Sequence, residues 1–434
     1  MENPARLVSS SQEATKGAWF LTLFAAEEIP AAMVTYVALL MLLQLGLAPA
    51  VATFCSAMLF LPWVLKSFIR PWVNRVGNLK RMLHVTEALL FGSLVFLAFS
   101  FGTDFSLFTL RFSQRAQPFF VFLALMVVSL LCAWHELAAR FYYERTLRPA
   151  FQRLFTTPKL IVSQVAVIFT YGALIFLVGT LEVYFRQIRY SWSLACYVAA
   201  GIFFFFAFLH LGTLNGQRAK DKEQEEGYEE QETLSPRRAS CSLPLAPCFI
   251  LFLLLLPQAL MFHTRVLYLF DAQVKGGLQC TMQEIGFAQG TVGVIAFSVG
   301  IALGRRLISR FTLQRLFWPM AVCVVLSPFV YLGMTVRPPE SLWMLCCCTM
   351  TAQLLFGLGL GVCRLPISAI SGFRYRNTIN MLQIPLVSAA LFVPMAVSGW
   401  MVEQLGYGTY FLVNALSAPI CLLLVLLLHN RSVR

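Results

Sequence analysis

NGQRAKDKEQEEGYEEQETLSPRRASCS (215–242) is the stretch that divides this chain. It holds the acid-rich run DKEQEEGYEEQE (221–232) followed by SPRRAS, and with no apolar face to bury it reads as a mobile linker. On both sides of it the sequence turns apolar. Before it, hydrophobic runs fall near 17–44, 48–69, 82–103, 117–139, 158–183 and 190–213; after it they fall near 245–270, 284–308, 316–335, 341–364, 378–403 and 407–428. In lipid the backbone must satisfy its own hydrogen bonds, so each run must be a helix. The expectation is an all-α membrane protein with twelve transmembrane helices in two six-helix bundles, one over 1–214 and one over 243–434, joined by the 215–242 linker.

Composition agrees with this reading. The 434 residues are 59% hydrophobic and only 12% charged, and the mean hydropathy is +0.73, far outside globular usage. A span needs ~20 apolar residues to cross a ~30 Å hydrocarbon core, and the length accommodates about twelve spans with their loops. A soluble enzyme, an outer-membrane barrel and a single-pass receptor are excluded. The stretch Met1 to Lys16 is polar and lacks the charged start, short apolar core and small-residue site of a cleaved leader, so span 1 is expected to stay in the mature protein.

The net charge of +13 comes from 33 Lys and Arg against 20 Asp and Glu. These cations are scattered in short clusters between apolar runs rather than gathered on one domain, which argues for topology and against nucleic acid. The loops after spans 2, 4, 8 and 10 hold seventeen of the twenty-four loop cations outside the linker and tails, among them Lys66, Arg70, Lys159, Arg315 and Arg364; the opposite loops hold Arg111, Arg115, Arg186, Arg189, Arg265, Lys275 and Arg337. By the positive-inside rule both termini and the linker are then cytoplasmic. The basic loops IRPWVNRVGNLKR (69–81) and GRRLISRFTLQR (304–315) occupy matching places in the two halves, as a two-repeat transporter requires. Arg75, Lys80, Arg81 and Arg140, with Arg305, Arg306 and Arg310, are the candidate cytoplasmic gate.

Ionisable residues inside a span cost a few kcal/mol to insert, so each is a candidate for function. Ten residues of helix at ~1.5 Å each place Glu27 about 15 Å deep, near the midplane where transporters bind substrate and coupling ions. Pro30 follows and can break the helix. Glu28 lies about 100° round from Glu27, so only one of the two faces a central cavity squarely. A structural pair bonded to a neighbouring helix is the competing account of both. In WHELAARFYYERTLR (134–148), His135 and Glu136 are placed toward the cytoplasmic side as a proton relay or gate, or as an interface cluster in which Glu136 pairs with Arg140. Span 7 contributes Gln258, His263 and Arg265 in LLPQALMFHTR (255–265), with a kink at Pro257 and with Arg265 snorkelling to the outer surface.

Gln164, Gln353 and Asn414 are best explained as interhelical hydrogen bonders, and GLGLG (357–361) as a close-packing surface. The run Phe203 to Phe206 faces lipid or fills core. The twelve cysteines lie almost entirely in apolar segments with no paired spacing, so they read as small buried hydrophobes rather than disulfides or metal ligands. No Walker motif, HExxH or Gly-rich loop after a strand is present, so neither an enzyme nor a bound cofactor is expected.

The stretches FAAEEIP (24–30), FLPWVLKSFIRPWVNRVGNLKR (60–81), WHELAARFYY (134–143), GFAQGTVGVIAFSVGIALGRRLISRFTLQRLFWPM (286–320), PESLW (339–343) and SGWMVEQLGYGTYFLV (398–413) resemble the AmpG-like branch of the major facilitator superfamily, the peptide/acetyl-coenzyme A/drug transporter family. The resemblance implies the major facilitator fold in a bacterial inner-membrane protein that imports a periplasmic solute by alternating access. Anhydro-muropeptides are the best-known substrates there, and protons the coupling ion. It puts Glu27 at the acid before the span-1 proline and Glu136 at the first acid of a span-4 motif resembling H-D-I-A-x-D-G. The chain departs from that pattern at Arg140 and Phe141, where the motif has its second acid and its glycine, at Gln258, where relatives often carry an acid, and at Asn74, where the superfamily loop has Asp.

The function expected is secondary active, proton-coupled import of a periplasmic solute such as a muropeptide by alternating access; a siderophore or porphyrin-like solute is the alternative cargo, and a transport-inactive sensor or assembly subunit the alternative class. A small-molecule or small-peptide substrate, protons and the lipid bilayer are the expected partners of a monomer.

Overall fold

The computed structural model describes residues 19–66, 69–70, 73, 78–102, 106–107, 110–111, 116–147, 152, 154–215, 245–311, 313–363 and 376–432. Arg75 and the linker beyond Asn215 lie outside the described residues. Six helices precede the linker: α1 (Trp19–Gln44), α2 (Pro49–Val64), α3 (Leu79–Ser100), α4 (Gln117–Thr146), α5 (Thr156–Phe185) and α6 (Ile188–Asn215). Six follow it: α7 (Leu245–Phe270), α8 (Met282–Arg310), α9 (Leu313–Val336), α10 (Leu342–Gly359), α11 (376–405) and α12 (407–432).

Ten helical stretches are long and apolar enough to span a membrane. The tenth, Ser388–Val425, is divided by Gly406, whose φ of 71° and ψ of 161° end α11 and start α12. Only glycine adopts that backbone without strain. The shorter α2 loosens into a turn at Leu59 and Phe60, because Pro62 has no N–H to bond the Met58 carbonyl. One feature is not helical: Ser106–Leu107 and Leu110–Arg111 form a two-residue antiparallel ladder, β1 and β2, pairing Ser106 with Arg111 and Leu107 with Leu110.

Pro30 does not break α1. The helix runs through it and widens, one turn on, into a π-helical turn at Met33–Val37. Two further π turns, Ile168–Ala173 in α5 and Gly286–Gly293 in α8, lie against each other across the two halves. Here the backbones touch. A Cβ on Gly290 would overlap the Tyr171 carbonyl, and one on Gly286 would sit 2.8 Å from the Gly172 carbonyl.

The second contact between the halves is α2 with α11, where the Ala50 N–H donates to Glu403 Oε1 at 2.9 Å. Deeper along the same pair, Phe60 packs with Met395 and meets the Phe262 ring edge-on at 5.6 Å. Ala50 and Glu403 lie beside the α1–α2 and α11–α12 turns, so the halves are sealed at the end away from Trp19.

Packing inside each half follows the sequence reading. The GLGLG segment brings α10 against α8 and α9: a Cβ on Gly359 would lie 2.6 Å from the Met320 carbonyl. Asn414 Nδ2 donates to the Pro257 carbonyl at 3.2 Å, and Ser298 donates to Gln164 Oε1 at 3.0 Å across the halves. The phenylalanine run resolves by helical face: Phe203 is buried, while Phe204, Phe205 and Phe208 are exposed where lipid would lie.

Candidate functional site

Four helices of the first half converge on a cluster of charge. Glu27 and Glu28 come from α1, Glu136 from α4, Lys159 from α5 and Lys66 from just beyond α2. Lys66 is buried and forms an ion pair with Glu136, which also accepts a hydrogen bond from Trp63 Nε1 at 3.0 Å. The Lys159 ammonium lies 3.5 Å from the centre of the Phe24 ring and 5.7 Å from that of Tyr143, and acts on Glu27, Glu28 and Glu136 through space. Ser163 of α5 faces the Glu28 carboxylate. Glu27 Oε2 is buried with no hydrogen-bond partner.

Two sequence expectations change here. Lys66 and Lys159, read as loop cations of the topology signal, sit inside the bundle, because a buried ammonium is tolerable when a carboxylate faces it. Glu136 pairs with Lys66 rather than with Arg140, which instead bonds Glu144 one turn on at 3.0 Å.

His135 turns away from the cluster into a second buried network that sequence reasoning missed. Glu87 of α3 bonds His210 Nδ1 of α6 at 2.6 Å and His84 Nδ1 at 3.3 Å. His210 Nε2 lies 3.2 Å from the Thr22 hydroxyl of α1, and His135 Nδ1 lies 2.8 Å from the Thr86 hydroxyl. Glu87, His135 and His210 are all buried. The rule that selects Glu27, an acid within an apolar run, applies equally to Glu87.

On α7 the three candidates part company. Gln258 Nε2 donates to the Val324 carbonyl at 3.0 Å and so clamps α7 to α9. His263 Nε2 lies 3.1 Å from the Ser56 hydroxyl of α2, across the halves. Arg265 does not snorkel: it is only 9% exposed and lines a cavity between α1, α5 and α7 together with Tyr36, Tyr171, Phe262 and His263. The cavity is a narrow cleft with room for about one water molecule.

The gate candidates gather at the end of the bundle that carries the N-terminus. Lys80 and Arg81 begin α3, where the Arg81 N–H donates to the capping Asn78 side chain at 3.0 Å. Arg305, Arg306 and Arg310 close α8. Arg81, Arg306 and Arg310 are exposed, and no ion pair to them occurs among the described residues.

No family model and no curated protein matches the chain. Solved structures do. The nucleoside transporter NupG matches at 13% identity and a TM-score of 0.65, over 95% of this chain and 98% of that one. A peptide transporter POT in complex with alafosfalin matches at 13% and 0.62, over 95% and 94%. A D-xylose-proton symporter matches at 12% and 0.59, over 96% and 97%. These are major-facilitator-type transporters, and the likeness gives this chain the major facilitator fold.

Proposed function

We propose that the chain is a secondary active transporter of the cytoplasmic membrane that imports a periplasmic solute together with protons entering down their gradient, by alternating access of two six-helix halves, 1–214 and 243–434, about the cavity between them. The observation that carries this reading is the charge cluster. Three half-buried carboxylates, Glu27, Glu28 and Glu136, face two ammonium groups, Lys66 and Lys159, which leaves one negative charge in excess in a region where charge is expensive. A proton neutralises that excess. Since Lys66 is committed to Glu136, and one oxygen of Glu27 is buried without a partner, Glu27 is the carboxylate that carries the exchangeable proton.

The seal between the halves supports the same reading. With the termini cytoplasmic, as the cation distribution favours, α2 with α11 and α5 with α8 close the periplasmic end, and the cluster is reached from the cytoplasm. That is the release state of an importer. Its cargo class is small: the neighbours handle a nucleoside, peptides and D-xylose, and the AmpG-like resemblance points to a muropeptide.

The test is uptake by the purified full chain in proteoliposomes under an imposed pH gradient, with an anhydro-muropeptide, a siderophore and a porphyrin offered separately. Accumulation of the muropeptide that stops when the gradient is collapsed supports the proposal. Gradient-driven uptake of the siderophore or porphyrin alone replaces the cargo, and no uptake of any of the three under either gradient polarity favours a sensor over a transporter.

A further inference from the structure

Arg265 is a buried cation without an acid. Its side chain is nine-tenths buried, its Nε has no hydrogen-bond partner, and no carboxylate pairs with it among the described residues. The one contact that steadies it is the face of Phe262, 5.2 Å from the guanidinium carbon. Among the described residues, Lys66 is matched by Glu136, and half-buried Lys159 by the glutamates it faces. An unmatched buried guanidinium is costly to hold, and its remaining N–H donors call for anionic oxygen.

The surroundings are built for the same chemistry. Tyr36 of α1 and Tyr171 of α5 stack at 5.1 Å and 22° to form one wall of the cavity, and neither hydroxyl has a hydrogen-bond partner among the described residues. The guanidinium acts through space on both, and on Tyr331 of α9, whose hydroxyl is taken by Gln289 at 2.9 Å. His263, beside Arg265, bonds Ser56 through Nε2 and leaves Nδ1 without a partner. The polar groups left open at this point are therefore the guanidinium, the two phenols, the Thr35 hydroxyl and His263 Nδ1, around a space bounded by both halves.

We propose that this cavity is the subsite for an anionic group of the solute, a carboxylate or a phosphate, gripped by Arg265 with Tyr36 and Tyr171. The inference rests on the transport reading for the word solute, but the binding itself does not require transport. Arg265 lines the space between α1, α5 and α7, whereas the charge cluster is built from α1, α2, α4 and α5. The proton site and the anion site are thus distinct places in one interior.

The experiment measures thermal stabilisation of the detergent-purified full chain, with no gradient. The probes are a muramyl tripeptide with free carboxylates, the same peptide with its carboxylates amidated, glucose 6-phosphate and inorganic phosphate. The expected result is that the free acid or one of the phosphates stabilises the wild type at concentrations at least tenfold below those the amide needs. Which of them does so assigns carboxylate or phosphate. Arg265→Gln should erase that gap, and ligand-free Arg265→Gln should melt at or above the wild type because an unmatched charge has been removed. A gap that survives Arg265→Gln, or a wild type that responds to no anionic probe, overturns the proposal. If the Gln variant does not fold, Arg265→Lys carries the test: it keeps the charge without the fork, so it must weaken the anionic probe several-fold and leave the amide unchanged. Equal binding by Arg265→Lys overturns the proposal too. Parallel uptake assays separate the two ideas, since a binding gap without uptake sinks transport and leaves the subsite, whereas uptake without a gap does the reverse.

Discussion

Glu27 and Glu136 look alike in the sequence and are unlike in the structure. Glu136 is held by Lys66 and Trp63, while one oxygen of Glu27 is bonded to nothing. Glu27→Gln should therefore abolish uphill uptake driven by a pH gradient while leaving folding and exchange intact; wild-type uphill uptake in that variant would move the assignment to Glu28. Glu136→Gln should impair uptake only in part. Its larger effect should be on stability, because it strands the Lys66 ammonium, and removing one partner of a buried pair costs about 3–5 kcal/mol. Lys66→Met should be similarly destabilising in a detergent melt. The double variant Lys66→Met with Glu136→Gln should recover most of the loss, and additive losses would show that the pair is not coupled.

At the scale of elements, the π turns of α5 and α8 are where the halves come closest, and small residues alone permit it. Gly290→Leu should force α5 and α8 apart by overlapping the Tyr171 carbonyl. Thiols placed at the far ends of α2 and α11, at positions 50 and 403, should then cross-link more slowly than in the otherwise wild-type protein; unchanged cross-linking would show that the contact does not set the closed end. Gly406 makes a different demand. Open space surrounds it, so Gly406→Ala meets no clash and should cost only its backbone strain, about 1–3 kcal/mol, read as a drop in melting temperature.

For the whole molecule the question is orientation. Lys66 and Arg265 are buried and Lys159 half-buried, so all three leave the loop count, yet the remaining loop cations still favour the end at which α1 starts. Single cysteines in the 215–242 linker, in a chain otherwise stripped of reactive thiols, should label from the cytoplasmic side only. Labelling that succeeds only from the periplasm would invert the topology, and with it the direction of import. The basic ends of the two halves make a further test of alternating access. Asn74 replaces the Asp of the resembled loop, so Arg75→Ala and Arg305→Ala should shift the inward/outward balance unequally in a conformational-labelling assay, and equal shifts would remove the latch idea.

What the amino-acid sequence determines by itself here is what depends on local composition. Backbone in lipid has no choice but helix, so the apolar runs mark the helices to within a few residues, and the turn between the last two runs falls on Gly406. Gly, Asn and Gln within those runs announce close packing and interhelical bonds, and Gly359, Asn414 and Gln164 make them. Pairing is another matter, because it joins residues far apart in the chain. That Lys66 belongs to Glu136, that Glu87 belongs to His210, and that Arg265 belongs to no acid follows only from which helices lie side by side. A buried charge can be read from one helix, but whether it is matched is decided by its neighbours, and it is the unmatched ones, Glu27 and Arg265, that mark where a proton and an anion would bind.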